Sequence, residues 1–232
     1  MRLKRFRCGG WNGYVSEQFV NEVGVLLTAD GEALPHGRGA AERISVGGGR
    51  FVRKVLRRGG VLGTVLGGVC GGPTRLLRPL RLLPRLQSAG VETAFPCIVA
   101  WRKRMLTFRL MTVTRFVEGC DLLETEEERA WINAARMASA LSSAGLYHRD
   151  LHPRNIRVKE DGGVVLLDIE DLRRGGRMAA VLMWRRLGRF LIKHGHWERK
   201  ECLWLLGGEV LGQDAAWQRR QLLLEAAAHL LA

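Results

Sequence analysis

One short reach of this chain gathers an acid, an amide and a second acid at intervals that could do chemistry. In Tyr147-His148-Arg149-Asp150-Leu151-His152-Pro153-Arg154-Asn155-Ile156, Asp150 is a carboxylate able to orient a hydroxyl and take its proton. Asn155 follows after four intervening residues, and the apolar run Val164-Val165-Leu166-Leu167 ends in Asp168-Ile169-Glu170. An amide oxygen and a carboxylate, with room left for waters and phosphates, suit Mg2+. Asn155 and Asp168 are therefore the candidate metal residues, and Glu170 is a further oxygen donor nearby. Taken singly, Asp150 and Asn155 read as turn residues and Asp168 as a strand cap; the spacing and the apolar run together favour chemistry.

Two strands must bring these groups together. Ile156–Lys159 and Val164–Leu167 read as strands, with Glu160-Asp161-Gly162-Gly163 as the turn between them. A four-residue turn pairs Lys159 with Val164, Ile156 with Leu167 and, one step further out, Asn155 with Asp168. Asp150 lies just upstream, in a loop that His152 and Pro153 keep from being helical. Before the loop a helix is expected. Thr125 reads as its N-cap and Glu128 completes a capping box, Ala130, Ala134, Met137, Ala138 and Leu141 share one face, and Gly145 ends it.

At 232 residues with a 47% hydrophobic fraction, the chain can bury a sizeable core. Its net charge of +14 is carried mostly by Arg and implies an anionic partner: nucleotide phosphates, acidic lipid or nucleic acid. Nucleic acid is not expected, because no interleaved aromatics or recognition motif accompany the charge. The five cysteines, Cys8, Cys70, Cys97, Cys120 and Cys202, are scattered without metal-ligand spacing and read as reduced, buried thiols. Met1–Arg7 is basic with no apolar core after it, which reads against a signal peptide. The longest uncharged stretch, Gly59–Thr74, is too short to span a bilayer.

Tyr14-Val15 and Val23–Leu27 read as short strands, followed by Glu42–Val46 and Arg50–Leu56 with Gly48-Gly49 as a hairpin turn. Gly37-Arg38-Gly39 precedes the first of that pair, and a Gly-x-Gly loop before a strand can bring backbone N–H groups to phosphate. Cys97–Trp101 and Leu106–Val113 read as two further strands joined by Arg102-Lys103-Arg104. After Asp168 the chain runs almost at once into a helix from about Ala179 to His194, and an amphipathic helix is expected over Ala215–Leu231.

His-Arg-Asp-x4-Asn followed by an apolar strand ending in Asp resembles the catalytic and metal-binding loops of the protein-kinase-like fold. Arg57-Arg58-Gly59-Gly60 after a basic strand, Arg81-Leu82-Leu83-Pro84-Arg85-Leu86 before Gly90-Val91, and Arg186-Leu187-Gly188-Arg189-Phe190-Leu191-Ile192-Lys193 are similar to the lipopolysaccharide kinases, above all those acting on 3-deoxy-D-manno-octulosonic acid (Kdo). The resemblance runs from about Gly37 to Lys193 and implies an α+β fold of two lobes, residues 1–114 and 115–232. It implies ATP and Mg2+ as cofactors and Asp150 as the catalytic residue. Lys54 would contact phosphate, with Arg53 as the neighbour that could serve instead; Gly37, Arg38 and Gly39 would cover the phosphates, and Thr114–Gly119 would be the hinge. The acceptor it implies is a Kdo sugar on lipid A precursor, reached from the cytoplasmic face of the inner membrane by a peripheral enzyme. Pro79 stands where kinase-like proteins place a Glu that pairs with the strand Lys, and Pro79 and Pro84 predict a short or kinked helix. His-x-Asp-Leu-His-Pro-x-Asn also resembles the aminoglycoside phosphotransferases, whose acceptors are soluble. A degenerate kinase acting as a binding module is the remaining alternative.

Overall fold

The computed structural model describes residues 2–34, 41–56, 72–105 and 107–195. The chain divides into two units, residues 1–80 with 94–116, and 81–93 with the chain from 117 onward. Residues 81–93 thus group with the second unit, which the single boundary after residue 114 did not anticipate.

Seven strands build the first unit, with continuous buried runs in its two central strands. The seven are β1 (Leu3–Cys8), β2 (Trp11–Ser16), β3 (Glu32–Ala33), β4 (Ala41–Val46), β5 (Gly49–Leu56), β6 (Pro96–Arg104) and β7 (Thr107–Arg115). They form one antiparallel sheet in the order β1-β2-β6-β7-β5-β4-β3. On one face Val15, Ile44, Phe51, Ile98 and Val113 pack with Phe19, Val23 and Leu26 from a 3-10 turn (Glu17–Glu22) and helix α1 (Val23–Thr28). On the other, Leu56, Val99 and Leu110 pack with Leu76 of α2 (Thr74–Leu80).

Three local expectations change here. Val23–Leu27 is helical, because Val23, Leu26 and Leu27 recur at helical spacing and are buried together. The β4–β5 turn is Gly47-Gly48, with φ of 57° and 76°, the left-handed pair that a two-residue hairpin of this twist requires. Arg102, Lys103 and Arg104 lie in β6 and pair with β7, so they do not form the turn, which includes Met105. The proline-containing helix is broken in two, α2 and then α3 (Leu83–Ser88). Pro84 sits in the first turn of α3, where a missing N–H leaves no bond unmade.

The second unit is built around α4 (Glu128–Ser143), which buries Ala130, Trp131, Ala134, Met137, Ala138 and Leu141 on one side. Burying Trp131 and Leu141 stabilises by roughly 1.5–3 kcal/mol each. Thr125 is not the N-cap. The helix begins after Glu127, whose N–H donates to Thr125 Oγ1 at 3.2 Å, and the capping box belongs instead to Asp121 and Glu124 of the preceding 3-10 turn. Two small sheets, β11-β10-β8 and β12-β9, carry the loops of interest: β8 (Cys120–Asp121), β9 (Leu146–His148), β10 (Ile156–Val158), β11 (Val164–Leu166) and β12 (Leu172–Arg174). Helix α5 (Arg177–Lys193) follows. Among the described residues no helix is long and apolar enough to cross a membrane.

Of the cysteines, Cys97 is buried and Cys8 and Cys120 are half-buried, all three as free thiols; Cys70 and Cys202 lie outside the described residues. Burial pushes the Cys97 thiol up to about 11, which keeps it protonated and unreactive.

Gly119 admits β10 to its partner strand. Its φ is +117°, and a Cβ there would sit 1.8 Å from the Val158 carbonyl oxygen. Gly119→Ala is expected to lower the unfolding free energy by at least ~2 kcal/mol, read by denaturant unfolding at neutral pH.

Candidate active site

The hairpin that positions Asn155 and Asp168 closes one residue earlier than a four-residue turn allows. Its loop is Glu160-Asp161-Gly162: Gly162 N–H donates to Lys159 O at 2.9 Å, Lys159 N–H donates to Gly163 O at 2.8 Å, and Gly162 has φ +74°. That is a three-residue hairpin ending in a left-handed glycine. The register therefore pairs Ile156 with Leu166 and Val158 with Val164. Asn155 lies opposite Leu167, whose N–H donates to the Asn155 carbonyl at 2.8 Å, and Asp168 falls one step beyond rather than directly across.

Asp168 then leaves the strand in the left-handed region, φ 52° and ψ 48°, and leads into the 3-10 turn Ile169–Asp171. For a residue with a Cβ this conformation costs roughly 1–3 kcal/mol and needs outside support. His148 contributes some. Its ring is wholly buried, and Nε2 lies 2.9 Å from the Asp168 carbonyl oxygen. A carbonyl only accepts, so this nitrogen carries the proton. Arg149 N–H donates to Asp171 O at 3.0 Å, tying the loop to the segment after Asp168 a second time.

Asn155 closes the loop from the other side. It is 8% exposed, and its Nδ2 donates to the Asp150 carbonyl at 2.9 Å. With the NH2 group committed, Oδ1 is the atom left to meet a cation. The amide oxygen of Asn155 and the carboxylate of Asp168, one residue beyond the position opposite Asn155, are hard oxygen donors of the type that suits Mg2+. Glu170 is buried in the turn after Asp168.

Helix α5 meets the same loop at three points. The His148 N–H donates to Met183 Sδ at 3.3 Å, Arg186 forms an ion pair with the Asp150 carboxylate, and Phe190 stacks on the His152 ring with centroids 4.9 Å apart. The sequence marks the helix, and Arg185–Arg189 as a basic segment able to meet anionic headgroups, but does not link Met183, Arg186 or Phe190 to this loop. The available signal was their spacing, since positions 183, 186 or 187 and 190 share one helical face.

In the first unit, Arg53 and Lys54 point to opposite faces of β5. Arg53 lies across from Glu42 of β4 and donates from Nε to its carboxylate at 3.0 Å. That cross-strand pair engages Arg53 on the face of β5 away from Lys54. Lys54 shares its face with Leu56, which packs against Leu76 of α2. Helix α2 is Thr-Arg-Leu-Leu-Arg-Pro-Leu and offers no carboxylate to that lysine. Gly37, Arg38 and Gly39, Arg57–Gly60 and Ala215–Leu231, where a helix is expected, lie outside the described residues.

Residues 50–187 match the model of the lipopolysaccharide kinase (Kdo/WaaP) family. No curated protein matches the chain. Among solved structures, the specific rhoptry antigen kinase domain of Toxoplasma gondii is 14% identical, with 84% of this chain and 80% of that one covered at a TM-score of 0.46. The ROP18 kinase domain in complex with AMP-PNP and sucrose is also 14% identical, with 61% of this chain and 50% of that one covered at a TM-score of 0.39. Superpositions at those scores carry no weight beside the family match.

Burial pushes the His152 imidazole down to about 4 from its ordinary 6.5. The Asp150 carboxylate opposes that push, His148 and Arg186 add to it, and Asp168 opposes it. Above pH 6.5 the ring is neutral whether the chain is folded or not. As the pH falls from 6.5 toward 4, the unfolded chain takes up a proton that the folded ring refuses, so stability present above 6.5 is lost across that window. The urea midpoint is expected to drop between pH 7 and pH 4.5, and His152→Asn to remove part of the drop; an identical drop in the variant would assign it elsewhere.

Proposed function

This chain belongs to the lipopolysaccharide kinase (Kdo/WaaP) family, and from that premise we propose that it phosphorylates a Kdo sugar of lipid A precursor. Membership makes it an ATP-dependent phosphotransferase of lipopolysaccharide biosynthesis. The observation that most supports phosphoryl transfer at this loop is its geometry: Asn155 Nδ2 donates to the Asp150 carbonyl, and Asp168 follows the residue paired with Asn155; the Kdo acceptor rests on the family.

In this reading Asp150 orients the acceptor hydroxyl and receives its proton as the hydroxyl oxygen bonds to the γ-phosphorus and the bond to the ADP oxygen breaks. Asn155 Oδ1 and the Asp168 carboxylate would hold Mg2+, which when bound neutralises charge on the phosphate oxygens. Lys54 would contact phosphate, and Gly37, Arg38 and Gly39 would cover it. The transition state spreads negative charge over the phosphoryl oxygens, so positioning and charge matter more than the basicity of Asp150. The acceptor is anchored in lipid, so we place the enzyme peripherally on the cytoplasmic face of the inner membrane; the net charge of +14 supports attraction to anionic headgroups.

Incubation with Mg·ATP and a Kdo-bearing lipid A acceptor, followed by mass spectrometry, is expected to show one added phosphoryl group on the sugar. Asp150→Ala is expected to lower kcat by about 10^2–10^4-fold. Equal inactivity of wild type and variant on every acceptor would remove the enzyme reading, and turnover of soluble aminoglycosides alone would reassign the acceptor. Membrane-bound protein is expected to be released by high salt; a fraction that stays soluble at every ionic strength would remove the membrane reading.

A further inference from the structure

Asp150 does not stand alone in its loop. Arg186 on α5 places Nη2 against Oδ1 of its carboxylate, and the two side chains are 45% and 36% exposed. Ion pairs this open to water contribute little to stability, so anchoring the helix is a poor reason for the contact. The other links between α5 and the loop already serve that purpose: Met183 with His148, and Phe190 with His152, backed by His194 stacked on Phe190 at 4.3 Å. These contacts grip the loop at residues 148 and 152, on either side of Asp150. What remains undetermined without Arg186 is the rotation of one short side chain.

That rotation matters for the proposed reaction. A base must bring one oxygen lone pair to within hydrogen-bond reach of the hydroxyl it serves. A carboxylate free to turn spends much of its time presenting neither oxygen correctly. With Oδ1 taken by Arg186, Oδ2 is the oxygen left for an acceptor hydroxyl. We propose that Arg186 is a positioning residue: it holds Asp150 so that Oδ2 receives the acceptor's proton. The inference rests on the reading of Asp150 as the group that serves the hydroxyl. Arg186 acts through Asp150 and need not touch nucleotide or acceptor.

The contact runs through one nitrogen and one oxygen, so an ammonium can stand in for the guanidinium. Arg186→Met is therefore expected to lower kcat by about 10–100-fold, the range that follows from losing alignment of a reacting group. The KM for Mg·ATP should stay within about twofold and the melting temperature should not move. Arg186→Lys is expected to recover most of the lost rate. At a half-exposed position both Met and Gln should be tolerated, and whichever variant melts like wild type carries the kinetic test. In an Asp150→Asn background the same Arg186 substitution should cost nothing more. Wild-type kcat in Arg186→Met, a loss confined to the KM for ATP, or an equal loss in both backgrounds would overturn the proposal. Wild-type activity in Asp150→Asn itself would instead overturn the function on which it rests.

Discussion

A carbonyl oxygen can only accept a hydrogen bond, and in an irregular loop every such oxygen must find its donor outside a regular ladder. Two carbonyls govern this site. The one at Asp150 is met by Nδ2 of Asn155, and the one at Asp168 by Nε2 of His148. Each bond satisfies a backbone group and fixes a side chain at once. The first turns the Asn155 amide so that its oxygen is left over. The second commits a buried imidazole to one tautomer and supports a left-handed aspartate. The geometry of the loop and the chemistry assigned to it thus have a common cause.

These bonds hold because rigid elements surround the loop. Helix α4 buries one apolar face and ends just before β9, so the chain enters the loop from a fixed point. Strand β12 pairs with β9 and returns the segment after Asp168 to the residues before Asp150. Helix α5 closes the third side through a sulfur, a guanidinium and an aromatic ring. None of these contacts is strong singly. Together they leave few rotamers open to the residues proposed to act, which is what a site working by alignment and charge requires.

Much of this was legible in the sequence, and the misses have physical causes. Asp150, Asn155 and Asp168 stood out because few patterns place an acid, an amide and a second acid at those intervals beside an apolar strand. The pairing across the hairpin was misread by one residue. Glu160-Asp161-Gly162-Gly163 contains two glycines, and only the structure shows that Gly162 alone takes the left-handed position that closes a shorter loop. Val23–Leu27 looked like a strand from its composition, whereas burial follows its helical spacing. The links from α5 to the loop were invisible because they join residues more than thirty positions apart, for example Met183 and His148. Spacing can show that 183, 186 and 190 share a face, but not what that face meets. In the first unit the sequence left Arg53 and Lys54 as rivals; the structure puts them on opposite faces of β5 and pairs Arg53 with Glu42.

The central claim is that Asn155 and Asp168 act as one cation site beside Asp150. The most direct test is a double-mutant cycle on the affinity of Mn2+·nucleotide, followed by electron paramagnetic resonance in wild type, Asn155→Ala, Asp168→Ala and the double variant. If the two residues share the ion, each single substitution removes most of the binding and the double variant loses little more. Losses that simply multiply, or single variants that bind as wild type does, would show that the two side chains serve separate sites and would contradict the account.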